Sequence, residues 1–271
     1  MLRYVSGNKM YHALKYSKFL LNNNKQPIIN YISENANENN KLKVYNEYTN
    51  LLKNINSKYL VALKLSSLNF DKVLIKKLVN KYKSKNISLI IDAEDNNNIN
   101  NYRKLTNSLM LSMNDDNYNI IKTYQMYRKD SLEELRDDME MMKNHKKFFS
   151  PKLVRGAYWN SEHKQGHLFI NKEETDQNYF EGMLQCYNKR NQYNILATHN
   201  IESIDCALKM NRRHNIFKVA HLMGMNERNM KKYKEKINIG TYVPYGPYKE
   251  MIPYLSRRLY ENIDNVKYIF K

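Results

Sequence analysis

Ile87-Ser-Leu-Ile-Ile-Asp92 is the stretch on which the fold turns. Leu89, Ile90 and Ile91 follow one another with no polar residue between them. A strand built this way has no wet face, so both sides must be covered, as they are in a parallel sheet packed under helices. Val61-Ala62-Leu63 repeats the pattern one unit upstream. Working outward, similar runs fall at 27–32, 59–65, 87–92, 119–124, 152–158, 193–198, 216–220 and 239–243. Helical periodicity fills the gaps near 37–56, 71–84, 98–112, 129–146, 172–190, 201–213, 226–236 and 248–262. Ser131-Leu-Glu-Glu134 reads as a capping box opening one of these helices. Eight alternations in 271 residues predict the α/β class and a parallel barrel, with a doubly wound open sheet as the rival. No linker divides the chain, so residues 1–271 are read as one domain.

Composition narrows the function less than it narrows the fold. There are 45 Lys+Arg against 27 Asp+Glu, a net charge of +18. One reading is drift: a chain rich in Lys, Asn, Tyr and Ile, with only 7 Gly and 5 Pro, has the bias of an AT-rich genome. The other is attraction to phosphates or to an anionic membrane surface. The basic residues are spread along the chain without a zinc-finger, RNP or basic-region signature, so no nucleic-acid partner is expected. No run approaches the roughly 20 apolar residues of a membrane span. Cys186 and Cys206 are too few for a disulfide framework or a four-cysteine zinc site. The first acid is Glu34, and the start carries Arg3, Lys9, Lys15, Lys18 and Lys25. That start reads as a transit segment or, better, as a packed first helix bearing Tyr4, Met10, Tyr11, Leu14 and Phe19.

A barrel puts its functional groups at the C-terminal ends of its strands. The predicted strand ends supply Lys64, Asp92, Gln125, Arg155, Tyr158, His199, His221 and Tyr242, groups that bind anions or orient hydrogen bonds. No G-x-G-x-x-G or P-loop sequence occurs, so a nucleotide would be held in another way. In Pro253-Tyr-Leu-Ser-Arg-Arg-Leu-Tyr-Glu-Asn262, helical spacing puts Tyr254, Arg257, Arg258 and Glu261 on one face. Two guanidiniums beside a phenol form a fork for a small carboxylate, and Glu261 can pin Arg257. The same face also reads as a solvated ion pair worth about 0.3–0.5 kcal/mol. Lys152-Leu-Val-Arg-Gly-Ala-Tyr-Trp159 runs into Gly156 and Ala157 and then the only Trp. It reads either as close backbone approach to a flat ligand or as a tight turn with a packed Trp. Ala197-Thr-His-Asn200 offers three hydrogen-bonding side chains, which also suit a helix cap. His163 and His167 have metal-pair spacing, but Gly166 and the lack of a third ligand favour surface histidines, and no metal site is expected.

Taken together, these stretches resemble the proline dehydrogenase family. The ordered set is Ala62-Leu-Lys-Leu65, Ile91-Asp-Ala-Glu94, Thr123-Tyr-Gln-Met-Tyr127, Lys152 to Trp159, Ala197 to Asn200, Leu222-Met-Gly-Met225, Tyr242-Val-Pro-Tyr-Gly-Pro247, and Pro253 to Asn262. It covers residues 27–265, and its forms are closer to the eukaryotic branch than to the bacterial one. The resemblance implies a distorted (β/α)8 barrel with an N-terminal helix, binding FAD at the strand ends. It further implies oxidation of L-proline to Δ1-pyrroline-5-carboxylate by hydride transfer, with electrons passed to a quinone or other acceptor. Peripheral membrane association and a mitochondrial location follow if the eukaryotic likeness holds, and a cytoplasmic one otherwise.

By the same resemblance, Arg257, Arg258 and Lys64 surround the proline carboxylate and Glu261 holds Arg257. Tyr242, Tyr254, Tyr158 and Leu222 wall the pyrrolidine ring, and Asp92 is the acid of the site. FAD contacts fall on Gln125, Lys152, Arg155, Gly156, Ala157, Trp159, Thr198, His199 and Asn200. Bacterial members carry Arg where Lys152 stands and Lys where Arg155 stands, and His221 replaces an expected Gln. Retention of Tyr242 favours proline over 4-hydroxyproline. A silent barrel that keeps only ligand binding is the remaining alternative.

Overall fold

The structure, a computed structural model, describes residues 4–33, 38–115, 117–187, 193–212 and 215–261, with backbone only at 38–39 and 257–261. Eight parallel strands close into a barrel in chain order. They are β1 (Gln26–Tyr31), β2 (Leu60–Leu63), β3 (Leu89–Ile91), β4 (Ile120–Gln125), β5 (Pro151–Val154), β6 (Asn194–Ala197), β7 (Phe217–Leu222) and β8 (Ile239–Tyr245). Ile29 of β1 is paired with Val61 on one side and Val243 on the other, which closes the ring and excludes the open sheet.

Alternation along each strand explains why the runs are apolar throughout. Ile28, Leu60, Ala62, Ile90, Ile121, Ile195, Ala220 and Tyr242 fill the barrel interior. Their neighbours Ile29, Val61, Leu63, Leu89, Ile91, Leu153, Val219 and Val243 point outward into a second, larger core beneath the helices. A substitution on either face is therefore felt, since deleting a buried Leu or Ile side chain costs about 2–5 kcal/mol.

The helices are α1 (Met10–Asn22), α2 (Glu38–Lys53), α3 (Lys72–Lys83), α4 (Ile99–Met113), α5 (Ser131–Asn144), the one-turn α6 (Trp159–Glu162), α7 (Lys172–Tyr187), α8 (Ile201–Asn211), α9 (Glu227–Tyr233) and α10 (Tyr248–Glu261). The regular βα order breaks at the seam. There α1 packs on β1 and β8, in the slot the last helix would take. Instead α10 turns over the C-terminal strand ends, burying Met251, Tyr254 and Leu255 against Val5 and Ile32. Gly246 makes that turn with φ +156, and a Cβ there would lie 2.8 Å from the Ile32 carbonyl oxygen, so only glycine fits.

One buried polar knot fastens helices to the outer wall. Lys122 of β4 points outward with its side chain 0% exposed, hydrogen-bonded by Nζ to Asp138 at 2.5 Å and ion-paired with Glu134 at 2.8 Å. It also donates to Asn107 Oδ1 at 2.8 Å, while Tyr124 Oη donates to Asp138. A buried ammonium is tolerable only when its donors are satisfied in this way.

Four sequence expectations need correction. The strand expected over 152–158 ends at Val154, because Gly156 adopts φ +150 and the chain leaves the sheet. Arg155 through Tyr158 therefore lie on a loop, and short helices at Leu65–Leu68, Trp159–Glu162 and His163–Gln165 were not anticipated. Ser131 makes no capping box: its hydroxyl donates to the Arg128 carbonyl, and Glu134 turns to Arg103 and Lys122. Tyr11 and Phe19 do not pack beneath α1 but stand 66% and 57% exposed, while Ala13, Ser17 and Leu20 form its buried face.

Candidate active site

The eight strand ends bring together groups that are far apart in sequence. Lys152 faces the barrel interior because its neighbour Leu153 belongs to the outer core. Its Nζ donates to Asp92, just past β3, at 2.5 Å and to Tyr242 Oη of β8 at 2.6 Å. Tyr242 Oη in turn donates to the same Asp92 oxygen at 3.2 Å. An ammonium, a carboxylate and a phenol thus converge above the apolar plug of the barrel, with Leu222 and Ala197 packed beside it.

Lys64 opens the turn after β2 and sets its Nζ 5.1 Å from the centroid of the Tyr158 ring. Tyr158 donates its hydroxyl to the Ala93 carbonyl at 3.2 Å, which binds the loop after β5 to the end of β3. Glu94 lies below, 2% exposed, accepting from Ser66 N at 2.9 Å and Ser66 Oγ at 3.0 Å. Burial pushes the Glu94 carboxyl above its ordinary value, while Lys64 and the Ser66 bonds oppose that rise. Glu94 sits inside a quoted motif, yet sequence reasoning assigned it no part.

Gln125 ends β4 facing the mouth, since Ile121 on the same side of the strand lies in the barrel interior. Its Nε2 donates to the Glu94 carbonyl at 3.1 Å. Its Oε1 and the hydroxyl of Thr123 are buried with no hydrogen-bond partner among the described residues. Buried acceptors left open in this way cost free energy unless a ligand supplies the donor.

Arg155 is held on four sides. Nε donates to Asp176 of α7 at 2.6 Å, and the terminal nitrogens donate to Thr198 Oγ1 at 2.9 Å and Ser203 Oγ at 3.2 Å. The guanidinium lies 4.5 Å from the Tyr179 ring centroid. Burial works against ionisation of Asp176, but hydrogen bonds from Lys172 and Arg155 outweigh it and hold its pKa below the ordinary carboxylate value. Nothing in the local sequence pairs Arg155 with Asp176, 21 residues further on.

Asn200 caps α8 by accepting from Ser203 N at 2.8 Å, and Thr198 Oγ1 accepts from Asn200 N at 3.1 Å. The His199 carbonyl accepts from Asn226. His199 and His221 meet edge to face, with ring centroids 6.2 Å apart. His221 points outward from β7, where Thr241 Oγ1 lies 2.9 Å from Nε2. Its pKa is pushed down to about 4, chiefly by burial.

Gly156 is required by protein packing: a Cβ there would come within 2.5 Å of the Tyr127 ring. Ala157 follows it on the loop, and Trp159 stacks on His163 with centroids 4.5 Å apart, 41% exposed. Tyr254 is buried in the cluster joining α10 to Val5 and Ile32. Arg257, Arg258 and Glu261 fall on α10, and their side chains lie outside the described residues. Among the described residues no three His, Cys, Asp or Glu side chains gather to hold a metal ion.

Fold and side chains together define a (β/α)8-barrel protein with a charged, aromatic cluster at the C-terminal ends of its strands. The proline dehydrogenase family model matches residues 13–269. Proline dehydrogenase 1, mitochondrial, of Caenorhabditis elegans is 29% identical over 199 residues, covering 66% of this chain and 32% of that protein. Proline dehydrogenase 2, mitochondrial, of Arabidopsis thaliana is 31% identical over 201 residues, covering 65% of this chain and 41% of its own length. The chain therefore spans less than half the length of either relative. Among solved structures, proline utilization A of Bdellovibrio bacteriovorus superposes with a TM-score of 0.89 at 19% identity, over 96% of this chain and 32% of that one. The chain belongs to the proline dehydrogenase family.

Proposed function

We propose that this chain oxidises L-proline to Δ1-pyrroline-5-carboxylate with FAD and passes the electrons to a quinone or another acceptor. The observation that carries the reading is the contact of Lys152, Asp92 and Tyr242 at the floor of the mouth. It supplies one positive charge, one negative charge and one flat apolar wall to a space bordered by Leu222, Tyr158 and Lys64. A small zwitterion with an apolar ring needs that combination.

The open acceptors support the cofactor. A flavin ring presents an imide N–H, and Gln125 Oε1 is a buried acceptor without a donor. In this reading Gln125, Lys152, Arg155, Thr198 and Asn200 would be among the residues that hold FAD. FAD bound there supplies the acceptor for the hydride that leaves the carbon beside the ring nitrogen. The chain does the rest. By the family likeness Lys64, Arg257 and Arg258 would orient the carboxylate, while Tyr242 and Leu222 would fix the ring against the plug. Near-attack placement of this kind accounts for much of an enzymatic rate. With FAD bound, the Lys152 ammonium would favour the negative charge of the reduced flavin.

Peripheral membrane association at a mitochondrial membrane belongs to the same reading. It is supported by the mitochondrial relatives and by the outer face of α1, where exposed Tyr11 and Phe19 stand among Lys15 and Lys18. No helix among the described residues is long and apolar enough to cross a membrane.

The deciding experiment is an anaerobic titration of the FAD-reconstituted protein with L-proline. Bleaching of the flavin band, with pyrroline-5-carboxylate trapped as product, is the expected result. A flavin that stays oxidised at saturating proline overturns the substrate, and failure to bind FAD overturns the whole reading.

A further inference from the structure

The segment between β5 and α7 carries Tyr158 and Trp159, and most of what fastens it comes from outside itself. Tyr127, just past β4, grips both of its ends: its N–H donates to the Arg155 carbonyl at 2.7 Å, and its carbonyl accepts from Phe169 N at 2.8 Å. The Tyr127 ring packs on Gly156, and the Tyr127 hydroxyl donates to Glu162 Oε2 at 3.1 Å.

Glu162 is the other half of this fastening. It ends α6, is 2% exposed, and has no place in the chemistry described above. Its Oε1 accepts from Asn96 N at 2.6 Å, and the Arg128 guanidinium lies 3.7 Å from Oε2. Asn96 and Arg128 are themselves joined at 3.2 Å, and Asn96 Nδ2 donates to Gln165 at 2.7 Å. A single carboxylate from the loop after β5 is therefore received by groups from the loops after β3 and β4. Through the backbone, Glu162 N donates to the Tyr158 carbonyl at 3.0 Å, one turn away. The residue that bears the carboxylate is thus hydrogen-bonded to the residue whose ring lies beneath Lys64.

We infer that Glu162, received by Tyr127 and Asn96, is a positioning residue that sets where Tyr158 and Trp159 stand at the barrel mouth. It acts through those two side chains. The kinetic consequence rests on the proposed function, because it assumes that Tyr158 borders the proline site.

The chain's only tryptophan is Trp159, so its emission reports the loop directly. The experiment records Trp159 emission and acrylamide quenching for the wild type, Glu162→Ala, Glu162→Gln and Tyr127→Phe, and then proline kinetics with FAD. Glu162→Ala is expected to shift the emission and raise its quenching, and to raise the proline KM about tenfold or more with kcat nearly unchanged. Glu162→Gln can still accept from Asn96 N–H and can donate to Tyr127 Oη, so it restores both readouts. Tyr127→Phe keeps the ring on Gly156 and is expected to change the emission in the same direction by less; it carries the test if Glu162→Ala does not fold. Unchanged emission and quenching in whichever of these two variants folds overturns the inference. So does a Gln variant that behaves like the Ala variant. The emission is read without substrate, so a failed proline assay refutes the function and leaves this arm intact.

Discussion

Lys152 and Asp92 lie 60 residues apart in sequence and 2.5 Å apart in space, joined across the mouth of a closed barrel. Their side chains are 5% and 19% exposed, so the pair is largely withdrawn from water. Removing one member of such a pair leaves a charge that the surroundings cannot solvate, at a cost of about 3–5 kcal/mol when burial is complete. Lys152→Met is therefore expected to lower kcat/KM for proline by about 100-fold or more, the scale of losing one preorganised electrostatic group. Lys152→Arg, which keeps the positive charge, should retain much more. A Met variant as active as wild type would remove Lys152 from the site.

Tyr242 stands in the barrel interior, 6% exposed, with its hydroxyl tied to both members of that pair. Held by both partners, the ring is not free to swing aside for a hydroxyl on C4 of the substrate. trans-4-Hydroxyproline is expected to show a kcat/KM about 10- to 100-fold below that of proline, a discrimination of about 1–3 kcal/mol. Equal values in a side-by-side assay would refute the role given to Tyr242.

His221 gives the fold an acid sensitivity with a defined window. Its pKa falls from 6.5 to about 4 on folding, driven mainly by burial; Glu227 raises it and Lys25 lowers it. The folded state therefore binds fewer protons than the unfolded state between those values. The stability it contributes is complete above pH about 6.5 and is lost as pH falls toward 4. The shift corresponds to roughly 3 kcal/mol. In His221→Gln, which keeps hydrogen-bonding capacity toward Thr241, urea unfolding should show a shallower loss across that window. An unchanged slope would show that His221 is already protonated in the fold.

The outer face of α1 makes a surface prediction. Tyr11, Lys15, Lys18 and Phe19 share one stripe, with no acid before Glu34. Binding to vesicles containing anionic lipid should weaken as salt rises, because the screening length is only about 10 Å at 0.1 M. With about 1 kcal/mol per basic residue near such a surface, Lys15→Glu with Lys18→Glu should cut partitioning at least about tenfold. Salt-insensitive binding, or a double variant that partitions like wild type, would leave the +18 charge as compositional drift.

Much of the barrel was legible because its strands are apolar on both faces. Leu89-Ile90-Ile91 cannot be a half-wet strand, and eight such segments alternating with helices leave few architectures. Closure was the preferred expectation, and the pairing of β1 with β8, between residues more than 200 positions apart, is what excludes the open sheet. The ends of elements were also misjudged where a single dihedral decided them. Gly156 takes the chain out of β5, and the sequence signalled a small residue there without saying that the Tyr127 ring was what required it. The spacing of Ser131 to Glu134 suits a cap, but buried Lys122 and partly exposed Arg103 claim that carboxylate.

The amino-acid order determined which residues would reach the mouth. Period-2 alternation and strand length carry Lys64, Asp92, Gln125 and Tyr242 to the strand ends, whereas Lys152, at the start of its expected strand, is marked only by the family resemblance. Tertiary structure alone decided what those groups touch: that Lys152 shares Asp92 with Tyr242, that Asp176 holds Arg155, that Glu162 is received by Tyr127 and Asn96. The reason is physical. Local spacing governs torsions and faces over one or two turns of chain. A hydrogen bond or ion pair depends on an ångström-scale distance between segments that only closure of the barrel brings together.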